Sequence, residues 1–297
     1  MASVDMEQLA SLLAQAQPAL LSSPIDQQRV VWDAMASRHP LSEGVTVTGA
    51  DFGGVAGELV LSPGADHRRL VMHLHGGGYV IGSPVSHRDL AARLSAATGA
   101  AVFVPAYRLA PEHPYPAALE DAAGAYRGLL GAGYQADRLA LSGDSAGGGL
   151  LLAALAEARR RGEPMPAGAV CWSPWVDLAP RPAGAADAVL SAEWLAAMAD
   201  HYLGSTDKAD PGASPVYEDL RGLPPLLVLV GTAELLLDDA RRLVAEVRRC
   251  DVEVELEEVE GAVHLWMALA PQSPEAVAAV ARAGRFLCAR WESTPVA

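Results

Sequence analysis

A chain of 297 residues with 51% hydrophobic and 20% charged side chains carries enough apolar material for one large, well-cored domain. Its 22 Lys+Arg against 36 Asp+Glu leave a net charge of −14, which argues against sequence-independent binding to nucleic acid or anionic lipid, since both rely on basic patches. No apolar run reaches the ~18 residues of a membrane span, so no membrane insertion is expected. The three cysteines, Cys171, Cys250 and Cys288, lack metal-ligand spacing and suit a reducing compartment.

The first seven residues are acidic and no leader-like apolar core follows, so a cytoplasmic protein is expected. Residues 5–38 read as amphipathic helix, interrupted near Pro18 and Pro24. Two strands predicted at 45–50 and 55–61 are close enough to form an antiparallel edge. From residue 69 the chain alternates: strands at 69–74, 101–105, 139–142, 167–172, 225–231 and 252–258, helices at 86–98, 117–131, 146–161, 191–202, 235–250 and 274–292. This alternation predicts an α/β fold with a mostly parallel central sheet and helices on both faces. No internal repeat is evident. Residues 179–190, rich in Ala, Pro and Gly, read as a loop, and the helix after them has no flanking strand. Residues 1–42 and 179–216 are either two pieces of a cap over the sheet's C-terminal edge, where ligands bind in open α/β folds, or ordinary peripheral helices. The remainder, 43–178 with 217–297, forms one α/β unit.

Two segments carry chemistry. Gly143-Asp144-Ser145-Ala146-Gly147 places a serine in a G-x-S-x-G frame between the apolar run Leu139-Ala140-Leu141 and a helical stretch ending in Arg159, Arg160 and Arg161. A tight turn between strand and helix can lift a serine oxygen clear of the backbone, and three cations suit a helix C-terminus. Upstream, the strand at 69–74 runs into His75-Gly76-Gly77-Gly78-Tyr79. Acyl transfer builds negative charge on a carbonyl oxygen and needs N–H donors already in position. A glycine loop can turn its amides toward a ligand, and in serine hydrolases the residue after the nucleophile, here Ala146, adds another donor.

On these motifs, with Tyr107-Arg108-Leu109-Ala110-Pro111-Glu112 between them, the chain resembles the bacterial hormone-sensitive-lipase-like (family IV) carboxylesterases of the α/β-hydrolase superfamily. The resemblance covers most of the chain beyond the first forty residues. It implies the α/β-hydrolase fold, an oxyanion hole from Gly76, Gly77 and Ala146, and the cap reading of 1–42 and 179–216 over a catalytic domain formed by 43–178 and 217–297. It implies a structural role for 107–112.

A serine hydroxyl needs a base. Of eight histidines, His39, His67 and His87 lie in polar segments expected to be exposed, and His73 packs within a strand. His113 sits in a proline-rich loop and His201 in the predicted cap. His75 opens the glycine loop, where it is expected to support the loop together with Gly78. His264 alone follows the last strand, where the chain order Ser, acid, His puts the base, and Trp266 matches an aromatic common in the resembling family. The acid belongs on the loop after strand 225–231. Aligning Leu236 with the leucine of the family's Asp-Pro-Leu puts Glu234 at the acid position, with Glu replacing Asp and Leu235 replacing Pro; Asp238 is the alternative. Tyr79, Trp172 and Trp175 are candidates for the substrate pocket.

The expected function is a serine carboxylesterase cleaving short-chain acyl esters such as acetates through an acyl-enzyme, with no cofactor and no metal. The partner is a small-molecule ester, not nucleic acid, and a homodimer is the candidate assembly. The same triad serves N-acetyl amide deacetylation, lactone opening or a non-hydrolytic biosynthetic reaction. A receptor that has lost catalysis is the remaining alternative, though it would be expected to lack nucleophile or base.

Overall fold

A computed structural model of the protein describes residues 6–36 and 38–292. It opens with two helices, α1 (Met6–Leu21) and α2 (Ile25–Ala36). The break expected near Pro24 lies between them. The break expected near Pro18 does not occur, because α1 continues to Leu21. Proline forfeits one backbone hydrogen bond in a helix, and only the last turn of α1 follows that position.

The strands are β1 (Thr46–Phe52), β2 (Val55–Leu61), β3 (Asp66–Leu74), β4 (Ala100–Pro105), β5 (Leu139–Asp144), β6 (Ala169–Trp172), β7 (Leu226–Gly231) and β8 (Val254–Val259). They form one sheet in the order β1-β2-β4-β3-β5-β6-β7-β8. β1 and β2 pair antiparallel at one edge, as their spacing predicts, and β2 runs antiparallel to β4. All later pairings are parallel. The helices between strands are α3 (Pro84–Thr98), α4 (Ala117–Gly131), α5 (Ala146–Arg160), α6 (Ala192–Leu203) and α7 (Leu237–Arg249). After β8 come the single turn α8 (Trp266–Leu269), which periodicity did not reveal, and α9 (Pro274–Glu292).

The inner strands β4, β6 and β7 are near-continuous apolar runs because both faces of the sheet are covered there. Successive side chains point to opposite faces. Leu226, Val228 and Val230 of β7 thus join the core with Leu129 of α4, Leu155 of α5 and Leu243 of α7. Leu227 and Leu229 join the other core, with Leu90 and Leu94 of α3 and Phe286 and Leu287 of α9. The helix α3 starts on a capping box, in which Ser83 accepts from the Ser86 N–H and Ser86 accepts from the Ser83 N–H. Among the described residues no helix is long and apolar enough to cross a membrane.

β5 hands over to α5 within one residue, Ser145, and the glycines on either side allow it. A Cβ on Gly147 would stand 2.0 Å from the carbonyl oxygen of Leu74, and one on Gly143 would stand 2.3 Å from that of Gly147. Backbone cannot retreat as a flexible side chain can, so Gly147→Ala should cost at least about 1–3 kcal/mol, the usual range for overpacking. Thermal unfolding should show a melting temperature lowered by several degrees; an unchanged value would mean that β3 and α5 are not in contact there.

Candidate active site

Four site segments stand at the C-terminal ends of parallel strands. Ser145 follows β5, the glycine loop follows β3, Glu234 follows β7 and His264 follows β8. Ser145 has φ 53° and ψ −121°, a conformation costly for a residue with a side chain. It is held there by its neighbours. Its N–H donates to Trp172 O (2.8 Å), and its carbonyl accepts from Trp175 N (2.9 Å) and Gly148 N (3.0 Å).

The side chain completes a buried relay. Ser145 Oγ lies 3.0 Å from His264 Nε2, and His264 Nδ1 lies 2.6 Å from Glu234 Oε2. An ionised carboxylate only accepts, so Nδ1 carries the proton and Nε2 is free to accept from the serine hydroxyl. The second oxygen of Glu234 accepts from Gly231 N (2.5 Å) and Ser173 Oγ (2.8 Å). Ser173 is a functional residue that the sequence reading missed, although it lies inside the segment Trp172-Ser173-Pro174-Trp175. Asp238 is elsewhere: its side chain is 91% exposed and 3.9 Å from Arg241. Burial works against the charged form of His264, but the hydrogen bond and charge of Glu234, with the charges of Asp187 and Asp144, outweigh it and raise its pKa.

The glycine loop departs from expectation at one residue. Gly76 N–H donates to Asp144 Oδ1 at 3.1 Å, deep in the protein, so it is already committed. The N–H groups of Gly77, Gly78 and Ala146 have no acceptor among the described residues. Gly77 (φ 114°) and Gly78 (φ 62°) occupy conformations that favour glycine. Gly78, expected only to support the loop, therefore has the uncommitted N–H that was expected of Gly76. His75 does support it: Nδ1 lies 2.9 Å from Gly76 O, and its ring stacks on Tyr107 at 4.2 Å, whose hydroxyl donates to His75 O (2.7 Å). Burial, with the charge of His87, pushes the His75 pKa down to about 3, so the ring is neutral.

His87 is another correction. Expected to be exposed, it is buried, with Nε2 3.3 Å from Asp144. A polar helical segment concealed it, because α3 turns this residue inward. Burial disfavours its charged form, yet the Asp144 carboxylate more than compensates and raises its pKa. His73, His87 and Asp144 bring potential ligand atoms within 4.8 Å of one another.

Ser145 and His264 open into a cavity of about 330 Å³. Its walls include Leu13 and Gln17 of α1, Trp32 and Met35 of α2, Val189 and Leu190, and Trp194 of α6. Tyr79, Trp172 and Trp175 do not line it. Tyr79 stacks on Tyr202 (3.8 Å), Trp172 donates to Ser142 Oγ (2.9 Å) and Trp175 donates to Asp177 O (2.9 Å), all three in the interior. Large aromatics beside the site were packing, and the lining comes from helices distant in sequence.

A family model described as the alpha/beta hydrolase fold matches residues 71–268. The chain is 46% identical over 230 residues to an acetyl-hydrolase of Streptomyces hygroscopicus, covering 76% of this chain and 77% of that one. It is 34% identical over 275 residues to an esterase of Acinetobacter venetianus, covering 91% and 90%. Among solved structures, an esterase of the bacterial hormone-sensitive lipase family superposes with a TM-score of 0.91 at 39% identity, covering 98% of this chain and all (100%) of that one. A second esterase, soaked with p-nitrophenyl butyrate, gives 0.92 at 39% identity, with the same coverage of 98% and 100%.

A base must be neutral to take a proton, and the raised pKa of His264 sets where that fails. Ester turnover should fall as pH drops, with its acidic limb centred above the usual histidine value of 6.5. Glu234→Gln removes the carboxylate, so the limb should move to lower pH while kcat falls by roughly 10³–10⁴. Asp238→Asn should stay within about twofold of the parent, as exposed substitutions generally do. The reverse ranking in a pH–rate series would make Asp238 the acid.

Proposed function

The chain belongs to the α/β-hydrolase family, among the bacterial esterases similar to hormone-sensitive lipase, and from that membership we infer a serine carboxylesterase of short-chain acyl esters. The observation that carries the mechanism is the continuous relay Ser145–His264–Glu234 at the floor of an apolar cavity. Ser145 Oγ attacks the ester carbonyl as its proton passes to His264 Nε2, and Glu234 stabilises the imidazolium. The developing oxyanion is met by the N–H groups of Gly77, Gly78 and Ala146. His264 returns the proton to the departing alkoxide, which leaves as the alcohol. Water, deprotonated by His264, then attacks the acyl-enzyme and releases the acid and free Ser145.

Residues 1–42 and 179–216 are proposed to act as the cap over this catalytic unit, 43–178 with 217–297. The support is that α1, α2, residues 188–190 and α6 furnish most of the cavity wall. A cavity of about 330 Å³ stands at the small end of the ~300–1,000 Å³ usual for small-molecule sites. It must hold both acyl and alcohol groups, which favours short chains. The three free cysteines support a cytoplasmic location. Activity is proposed for the single chain, with a homodimer as the assembly to be tested by light scattering.

Ser145→Ala should remain folded and lose roughly 10⁴-fold or more in ester turnover, and a serine-directed phosphonate should label Ser145 in the parent. With p-nitrophenyl esters, kcat/KM should be higher for acetyl to hexanoyl than for dodecanoyl chains. Retained turnover in the folded alanine variant would end the serine-esterase mechanism, and a preference for long chains would require a larger cavity than the one described.

A further inference from the structure

Residues 185–192 form a small hairpin, closed by Asp187 N to Leu190 O (2.9 Å) and Ala192 N to Ala185 O (2.8 Å). Inside it the Asp187 carboxylate is fully engaged. Oδ1 accepts from Val189 N and Leu190 N, both at 2.7 Å. Oδ2 reaches across to accept from Leu235 N at 2.7 Å, and Leu235 directly follows Glu234. On the opposite side the Asp187 carbonyl accepts from Gln17 Nε2 of α1 at 3.1 Å. Gln17, Ala188, Val189 and Leu190 all line the cavity. A single residue therefore touches the cavity wall from two directions and the backbone of the acid loop.

We propose that Asp187 is a positioning residue whose carboxylate fastens the cavity-lining hairpin to the loop carrying Glu234, so that substrate wall and triad acid are set together. The proposal rests on the reading of Glu234 as the acid. A carboxylate suits the task because both oxygens accept, whereas an amide has one accepting oxygen and would turn an N–H against another N–H. Without its anchor at Leu235, the loop can drift and take Glu234 with it. A misplacement of about 1 Å can cost on the order of 10²-fold in rate. Three anionic groups act on His264: Glu234 from the loop after β7, Asp144 at the end of β5, and Asp187 from the hairpin. Removing the Asp187 charge therefore also makes the imidazolium less favourable.

The test compares Asp187→Asn and Asp187→Glu with the parent on p-nitrophenyl acetate, with rates expressed per serine titrated by a phosphonate. Asp187→Asn should lower kcat by about 10- to 100-fold and move the acidic limb to lower pH. Asp187→Glu keeps the charge but not the reach, so its limb should stay in place while kcat still falls. A kcat within about twofold of the parent and an unmoved limb in Asp187→Asn would overturn the proposal. So would a loss that vanishes on normalisation to titrated serine with the limb unmoved, because that is a folding defect alone. Ser145→Ala separates the two levels: if it is inactive while Asp187→Asn matches the parent, only the role of Asp187 fails. If Ser145→Ala is active, the reading of the site fails with it.

Discussion

β3 and β5 are neighbours in the sheet, and where both end the backbone of Gly147 lies so close to Leu74 O that an added Cβ would stand 2.0 Å away. That approach puts the glycine loop and the nucleophile turn side by side. The hydrogen bond from Gly76 N–H to Asp144 Oδ1 then ties them, since Asp144 immediately precedes Ser145. The glycine loop and Ser145 are thus placed by the same pair of strand ends, joined by backbone contact and by one buried carboxylate. Preorganisation of this kind lets electrostatic stabilisation act without reorganisation during reaction.

Asp144 and Glu234 are buried carboxylates that face buried histidines, Asp144 two of them and Glu234 one, and the two clusters differ. Burying an isolated charge is costly, so each acid needs compensation. Asp144 has His87, His73 and the Gly76 N–H; its pKa stays far below the usual carboxylate range because the two histidines outweigh burial. Glu234 has His264, Ser173 and the Gly231 N–H. His87 contacts Asp144 from within α3, and Asp144 in turn holds the glycine loop through the Gly76 N–H. His264 offers its other nitrogen to Ser145, which is the arrangement the proposed base requires. The chemistry follows from which nitrogen meets the carboxylate and what stands at the other.

Much of this was legible in the sequence because local rules and tertiary demands coincide. The G-x-S-x-G turn, the glycine loop and the late histidine each sit at a strand end, and strand ends could be read from apolar runs. Glu234 was preferred to Asp238 partly for its nearness to Gly231, and it is the carboxylate that lies beside His264. What failed was legible only in three dimensions. His87 reads as polar helix surface, yet α3 faces it toward Asp144. Gly76 and Gly78 are indistinguishable as letters, and a contact 68 residues along the chain decides which one has a free amide. Trp172 and Trp175 were expected at the pocket on size and position, but large aromatics beside a site are equally good core material. Ser173, between them, has the functional hydrogen bond.

The cavity wall offers apolar surface and no charge to a substrate. Its lining contains no Lys, Arg, Asp or Glu among the described residues. A substrate bearing a free carboxylate or ammonium near the ester would lose hydration without gaining a partner. The polar groups of the wall are instead used to fasten helices. Trp194 Nε1 donates to Gln28 Oε1 at 3.2 Å, linking α6 to α2. Arg29 of α2 donates to Val80 O (2.8 Å), just beyond the glycine loop, and pairs with Glu112 (2.7 Å). The segment 107–112, expected to support the site, does so through this arginine as well as through Tyr107 under His75. The N-terminal helices are therefore attached beside the glycine loop through Arg29 and beside the Glu234 loop through Gln17 and Asp187. The helices that wall the cavity are thus fastened to the same loops that border Ser145 and Glu234.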